Sequence, residues 1–156
     1  MVADSAVGNR YKRPESVLVV VYNTEDKVLL LKRADHDEFW QSVTGSLRWP
    51  YETSRCAAVR ELLEETGLQG EAGLRTWDKT FCFPILPKWR ARYAPGITVN
   101  REHAFSLKVD GESTITLNHQ EHSEYQWLTF DAAAAKVWSW TNRVMIMAVK
   151  NKVERS

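Results

Sequence analysis

The sequence predicts one mixed α/β domain, and three observations carry that reading. β-branched apolar runs of strand length recur along the chain; one segment near the middle has helical apolar spacing between a capping residue and a glycine; and a stretch rich in Ala, Trp, Val and Met closes the chain with helical character. A length of 156 residues suits one ordinary domain with a real core and is short for two. No internal repeat, low-complexity tract or linker suggests a second unit.

Residues 1–10 form a small-residue arm, expected to be mobile, ahead of a single domain over residues 11–152. Ser16 to Asn23 (SVLVVVYN) is a β-branched apolar run entered just after Pro14, and reads as a strand buried on both faces. The polar Thr24 to Asp26 is a short turn, so that run and the following KVLLLKR form a hairpin ending on Lys32 and Arg33. Phe39 to Gly45 reads as a third strand closing on glycine. Thr53 to Thr66 is the best helix in the chain, with Thr53 or Ser54 as its N-cap and Gly67 just past its end. Strand-like pieces follow at Leu74 to Phe83, Glu102 to Val109 and Tyr125 to Leu128. Asp131 to Val149 is then expected as one long or two short helices.

Lys and Arg total 21 against 20 Asp and Glu, a formal charge of +1, so no overall field favours nucleic acid or an anionic membrane. Any phosphate recognition must be local. Cys56 and Cys82 show neither a C-x-x-C spacing nor the density of a disulfide scaffold; they read as core or near-core thiols in a reducing cytoplasm. The first residues lack the apolar stretch of a signal peptide, and no apolar run approaches a membrane span. A soluble, cytoplasmic protein is expected.

The chemistry concentrates on the central helix. At about 100° per residue, Val59, Leu62, Leu63 and Thr66 fall on one face and Glu61, Glu64 and Glu65 on the opposite one. Glu61 and Glu65 are i and i+4, so their carboxylates meet over one turn, although like charges at that spacing weaken a helix. Read from the residues alone, this is either a solvated acidic face or a hard-oxygen site for Mg²⁺ or Mn²⁺. The basic stretch Lys88 to Tyr93 interleaves aromatics and cations, but three cations are too few to mark a nucleic-acid surface.

The wider spacing resembles a known family. Gly45, then Glu52, seven residues, and Arg60-Glu61-Leu62-Leu63-Glu64-Glu65-Thr66-Gly67-Leu68 are similar to the signature of the Nudix hydrolases: glycine, five residues, Glu, seven residues, then R-E-U-x-E-E-x-G-U with U apolar. Outside that box, YKRPESVLVVVY, LKRADHDEFWQSVTGS, RYAPG, EHSEYQWL and SWTNR resemble the bacterial branch of the family that acts on dihydroneopterin triphosphate, over most of the chain from Tyr11 to Arg143. One feature departs. Six residues, SLRWPY, separate Gly45 from Glu52, and the bulky Arg48-Trp49-Pro50-Tyr51 replaces the usual small or acidic stretch, so the route to Glu52 must differ. Trp49 and Tyr51 are candidates for a substrate or dimer contact.

The resemblance implies an α/β/α sandwich around a central mixed sheet, and a Mg²⁺-dependent (or Mn²⁺-dependent) pyrophosphohydrolase acting on a small-molecule triphosphate in folate biosynthesis. It implies Glu61 and Glu65 as metal ligands, Glu64 as a ligand or a neighbour of one, and Glu121 as a further ligand or general base. Arg60 orients the glutamates by pairing with Glu52 or Glu64. Lys12 and Arg33 match cations that meet the triphosphate, Thr44, Gly45 and Ser139 match positions at the substrate, and Phe83, Pro84, Ile85 and Leu86 match the segment lining the ring. His119 and His122 are weaker candidates, since hard-ion chemistry does not need imidazole. Rival readings are a housecleaning pyrophosphatase for (deoxy)nucleoside triphosphates, a binding module without turnover, and an RNA-directed activity.

Overall fold

The computed structural model describes residues 10–156; the arm expected over residues 1–10 lies, apart from Arg10, outside the described residues. In chain order the elements are β1 (Glu15–Asn23), β2 (Lys27–Arg33), β3 (Trp40–Gln41), β4 (Val43–Ser46), α1 (Ser54–Thr66), β5 (Arg75–Pro84), a 3₁₀ helix (Pro87–Arg92), β6 (Val99–Val109), β7 (His122–Thr129), α2 (Phe130–Lys136) and α3 (Trp140–Arg155). The last helix thus runs past the Val149 end expected for it, to Arg155.

β1 is the axis of a mixed sheet. It pairs in parallel with β6 along its whole length, from Glu15 opposite Arg101 to Asn23 opposite Val109. Its other edge is divided: β4 pairs antiparallel with Ser16 to Val19, and β2 meets it only near Tyr22 and Val28. The expected β1–β2 hairpin is therefore joined at its base alone, because β4 occupies the rest of that edge. β2 finds its long partner in β7, from Lys27 opposite Thr129 to Arg33 opposite His122, and β5 closes the far side on β6.

The uninterrupted apolar run of β1 is explained by two cores. Val17, Val19 and Val21 join Leu29, Leu31, Phe105 and Leu107 beneath Ala57, Ala58 and Leu62 of α1. Leu18 and Val20 point the other way, with Val28, Leu30 and Ala104, onto Phe130, Ala133, Met145, Ile146 and Val149 of α2 and α3. The period of two along the strand thus builds an α/β/α sandwich. Each fully buried Val or Leu contributes roughly 1.5–3 kcal/mol.

Several local readings are corrected. The strand expected over Phe39 to Gly45 is broken at Ser42, whose N–H donates to Asn142 Oδ1 at 2.8 Å and whose hydroxyl accepts from Asn142 Nδ2 at 2.9 Å, pinning the break to α3. Of the one or two helices expected toward the C-terminus, two form, interrupted where Val137 bridges Trp40. Cys56 and Cys82 are both exposed, not core. On α1 the packed stripes are Ala57–Glu61–Glu65 and Ala58–Leu62–Thr66, while Leu63 is 50% exposed. The predicted opposition of an apolar face to an acidic face was therefore wrong: two of the three glutamates sit on the packed side.

Candidate active site

α1 is placed by its ends. Thr53 caps it, its hydroxyl accepting from Cys56 N at 3.2 Å, and Gly67 ends it at φ 76°, where its N–H donates to Leu63 O at 3.0 Å. The two small residues Ala57 and Ala58 let it lie close over β1 and β4. Glu61 meets the strand at Gly45. A Cβ there would fall 2.1 Å from Glu61 Cδ, so glycine is required by space and not by backbone conformation.

The resulting carboxylate cluster carries large electrostatic stress. Glu65 is 1% exposed and neither of its oxygens has a hydrogen-bond partner among the described residues. Burial, then the charge of Glu61, pushes its pKa well above the ordinary carboxylate range. Burial also raises Glu61, opposed by its hydrogen bond from Arg60. Oxygens of Glu65 and Glu121 and a ring nitrogen of His122 lie within 4.8 Å of one another. His122 Nε2 is 3.4 Å from Glu65 Oε1, and burial lowers the imidazole to about 4, so it stands neutral. A deeply buried carboxylate crowded by further carboxylate oxygens, with the neutral His122 ring 3.4 Å away, fits a hard divalent cation.

Arg60 organises the same end of the helix. It donates to Glu52 through Nε (2.8 Å) and one terminal nitrogen (2.7 Å), to Glu61 at 2.7 Å, to Glu64 at 3.2 Å and to the Ser46 carbonyl at 3.0 Å. The Glu52 carboxylate, held down in pKa first by Arg60, also accepts from Arg48 N at 2.8 Å. The longer loop therefore still delivers Glu52 to Arg60. Arg13 fastens the loop from outside, donating to the carbonyls of Arg48 and Glu52 at 3.1 Å each, and Trp49 Nε1 donates to Tyr11 O at 2.7 Å. Tyr51, 88% exposed, lines neither cavity described next. Glu64 lines neither as well, its oxygens being engaged by Arg48 and Arg60 at the rim.

Two cavities meet here. The polar one, about 700 Å³, holds Glu61, Glu65, Glu121, His122 and Arg60. The other, about 400 Å³, is walled by Phe83, Pro84, Ile85, Leu86, Trp89, Trp138, Trp140 and Ser139. Lys12, Arg33, Gln41, Thr44, Gly45 and Arg92 belong to both. The Lys12 ammonium has its pKa lowered by burial and by Arg92 and Arg33. Arg33 is held by Asp35 through two bonds of 2.8 Å and lies over Trp89 at 5.0 Å. Gln41 accepts from Trp138 Nε1 at 3.1 Å and donates to Thr44 Oγ1 at 2.9 Å, orienting that hydroxyl.

Of the residues selected from the sequence, Glu61, Glu65, Glu121, Lys12, Arg33, Thr44, Gly45, Ser139 and Phe83 to Leu86 are brought together in this double cavity. Arg60 and Glu52 support it, and Glu64 stands outside. Gln41, Trp89, Arg92, Asn100, Glu102, Trp138 and Trp140 also line the two cavities without having been selected from the sequence, and His122, a weaker candidate there, lines the polar one. The mixture of aromatics and cations in KWRARY was a readable signal, since that stretch forms the wall carrying Trp89 and Arg92. Asn100 and Glu102 gave none, being ordinary strand positions.

A fold with one carboxylate-bearing helix against the end of a mixed sheet, and this box upon it, defines a class. The family described as NUDIX domain matches residues 12–149, and the chain belongs to it. It is similar to dihydroneopterin triphosphate diphosphatase of Escherichia coli (strain K12), with 45% identity over 140 residues covering 87% of this chain and 91% of that protein. The protein of the same name in Haemophilus influenzae is 37% identical over 137 residues, covering 85% of each chain. The solved structure of the E. coli dihydroneopterin triphosphate pyrophosphohydrolase superposes with a TM-score of 0.81 at 44% identity, covering 87% of this chain and 94% of that one. The enzyme class is that of a Nudix hydrolase.

Proposed function

We propose that the protein hydrolyses 7,8-dihydroneopterin triphosphate to the monophosphate and pyrophosphate, with Mg²⁺ as its cation, in the cytoplasm as a step of folate synthesis. The observation that carries the reading is the continuity of the two cavities. An apolar, aromatic space for a flat ring opens through a cationic wall onto a buried carboxylate cluster. Relatives named for this substrate cover most of the chain at 37–45% identity, which supports the choice of ring.

Glu61, Glu65 and Glu121 would hold the cation, with His122 neutral beside them. The chemistry a divalent cation supplies there is neutralisation of phosphate charge and a lowered pKa for water. Lys12, Arg33 and Arg92 would bind the phosphates between the two cavities; the Lys12 ammonium has its pKa lowered first by burial and then by the charges of Arg92 and Arg33, which concentrate positive charge on that wall. Glu121, the most exposed carboxylate of the set, is alternatively the candidate general base, taking a proton from water. Arg60 and Glu52 hold Glu61 in position, and Thr44 and Ser139 bind substrate near the ring.

The test is pyrophosphate release with and without Mg²⁺, comparing kcat/KM for dihydroneopterin triphosphate with the common dNTPs and GTP. A preference of tenfold or more, about 1.4 kcal/mol of transition-state discrimination, is expected. Equal rates on dNTPs would instead assign the chain to nucleotide housecleaning.

A further inference from the structure

The apolar cavity contains Glu102 and Asn100, polar side chains that the reaction at the phosphates does not use. Glu102 is 6% exposed on β6, and its Oε1 has no hydrogen-bond partner among the described residues. Two residues earlier on the same strand face, Asn100 is also buried; its Nδ2 donates to Ser16 Oγ at 2.8 Å, which fixes the amide, and its Oδ1 is left without a partner. Both line the cavity with Phe83, Ile85 and Trp140. Burial pushes the Glu102 carboxyl up to about 7, with the Thr141 hydroxyl opposing the shift. Leaving a buried carboxylate oxygen and a buried amide oxygen unmet is costly, and groups of this kind are retained where a ligand meets them.

We infer that Glu102, assisted by Asn100, is the specificity-determining residue of the ring cavity, and that it takes a heterocycle presenting a ring N–H beside an exocyclic amino group. This rests on the reading of the apolar cavity as the ring site. Glu102 Oε1 and Asn100 Oδ1 are two acceptors left open two residues apart on one strand face, and such a pair selects an edge that offers two donors. The 2-amino-4-oxo pyrimidine portion common to pterins and guanine has that edge. Adenine, cytosine and thymine do not, and hypoxanthine lacks only the amino group. A site built around such acceptors rejects a ring without the donors, because its own oxygens then stay unpaired.

The experiment compares calorimetric binding of GTP and ITP, which differ by that amino group alone, to the wild-type protein and to Glu102→Gln. The expected result is a wild-type preference for GTP of about 10- to 100-fold, the range for a hydrogen bond to a charged group, reduced to near unity in Glu102→Gln. Thermal melting checks that the isosteric variant folds; if it does not, the wild-type GTP-to-ITP ratio alone decides. Equal affinity for the two in the wild type, an undiminished preference in a folded Glu102→Gln, or no measurable binding of either nucleotide overturns the inference. Because this ratio does not depend on which triphosphate is turned over, it is separable from the test of pyrophosphate release. A protein that prefers GTP to ITP through Glu102 yet hydrolyses dNTPs as fast as the pterin triphosphate would keep this assignment and lose the proposed substrate.

Discussion

Glu65 concentrates the electrostatic cost of folding in one side chain. Its carboxylate is ionised in the unfolded chain but is buried beside Glu61 in the native one, which disfavours folding at neutral pH. Replacing it with the neutral isostere, Glu65→Gln, is expected to raise the melting temperature in the absence of metal and, on its proposed role as a cation ligand, to lower kcat/KM by about 100-fold. Calorimetry and pyrophosphate release on the same preparation check both signs; full activity in a folded variant would remove Glu65 from the site. Gly45 makes the complementary case. Gly45→Ala puts a methyl group where the Glu61 carboxylate stands, so Glu61 must move. About 1–3 kcal/mol of overpacking is expected in denaturant melts, with activity falling together with stability.

At the scale of elements, the loop and helix from Gly45 to Leu68 act as one unit through Arg60. The guanidinium ties the helix to Glu52, to Glu61 and to the Ser46 carbonyl, and these contacts need a planar fork that a lysine ammonium lacks. Arg60→Lys keeps the charge and is expected to cost about 10- to 100-fold in kcat/KM, with a matching loss of Mg²⁺ affinity in a metal titration. The 3₁₀ helix Pro87–Arg92 has a different task. Trp89 meets Trp138 edge to face at 5.5 Å and carries Arg33 on its ring. Trp89→Ala should therefore raise KM while leaving the affinity for metal, measured without substrate, within about twofold.

At the scale of the molecule, the buried carboxylates couple stability to ligands and to pH. Saturating Mg²⁺ at about 100 times its Kd should add about 2.7 kcal/mol, a rise of about 5–10 °C in melting temperature for a chain of this size. Glu65→Gln should lose most of that increment. For Glu102, the ordinary carboxyl value of 4.5 rises to about 7 in the fold. The neutral form is the one the fold accepts, so the group does not oppose folding below pH 4.5, and stability is lost as pH climbs from 4.5 to 7. The difference in melting temperature between Glu102→Gln and the wild type should accordingly widen between pH 5 and pH 8 and then level off. None of the helices among the described residues is long and apolar enough to cross a membrane.

How much was legible follows from which forces are local. The capped helix, the doubly buried β1 and the box carrying Glu61, Glu64 and Glu65 were readable, because capping, side-chain period and motif spacing are properties of neighbouring residues. So was the α/β class, and the resemblance carried by the box supplied the sandwich. The face that Glu61 and Glu65 occupy was not readable. Hydrophobicity assigned them to solvent, whereas both are packed, Glu61 against Gly45, and Leu63 is left exposed. Nor did the sequence alone reveal that His122, Arg92, Trp89 and Trp138 would gather around residues far from them in the chain, or that Asn100 and Glu102 would open into a cavity. The sequence by itself determined the elements and the chemistry available to them. Only the tertiary structure decided which charges lose their water, because desolvation depends on what other segments bring alongside, and it is that loss of water that sets Glu61 and Glu65 apart from ordinary surface carboxylates.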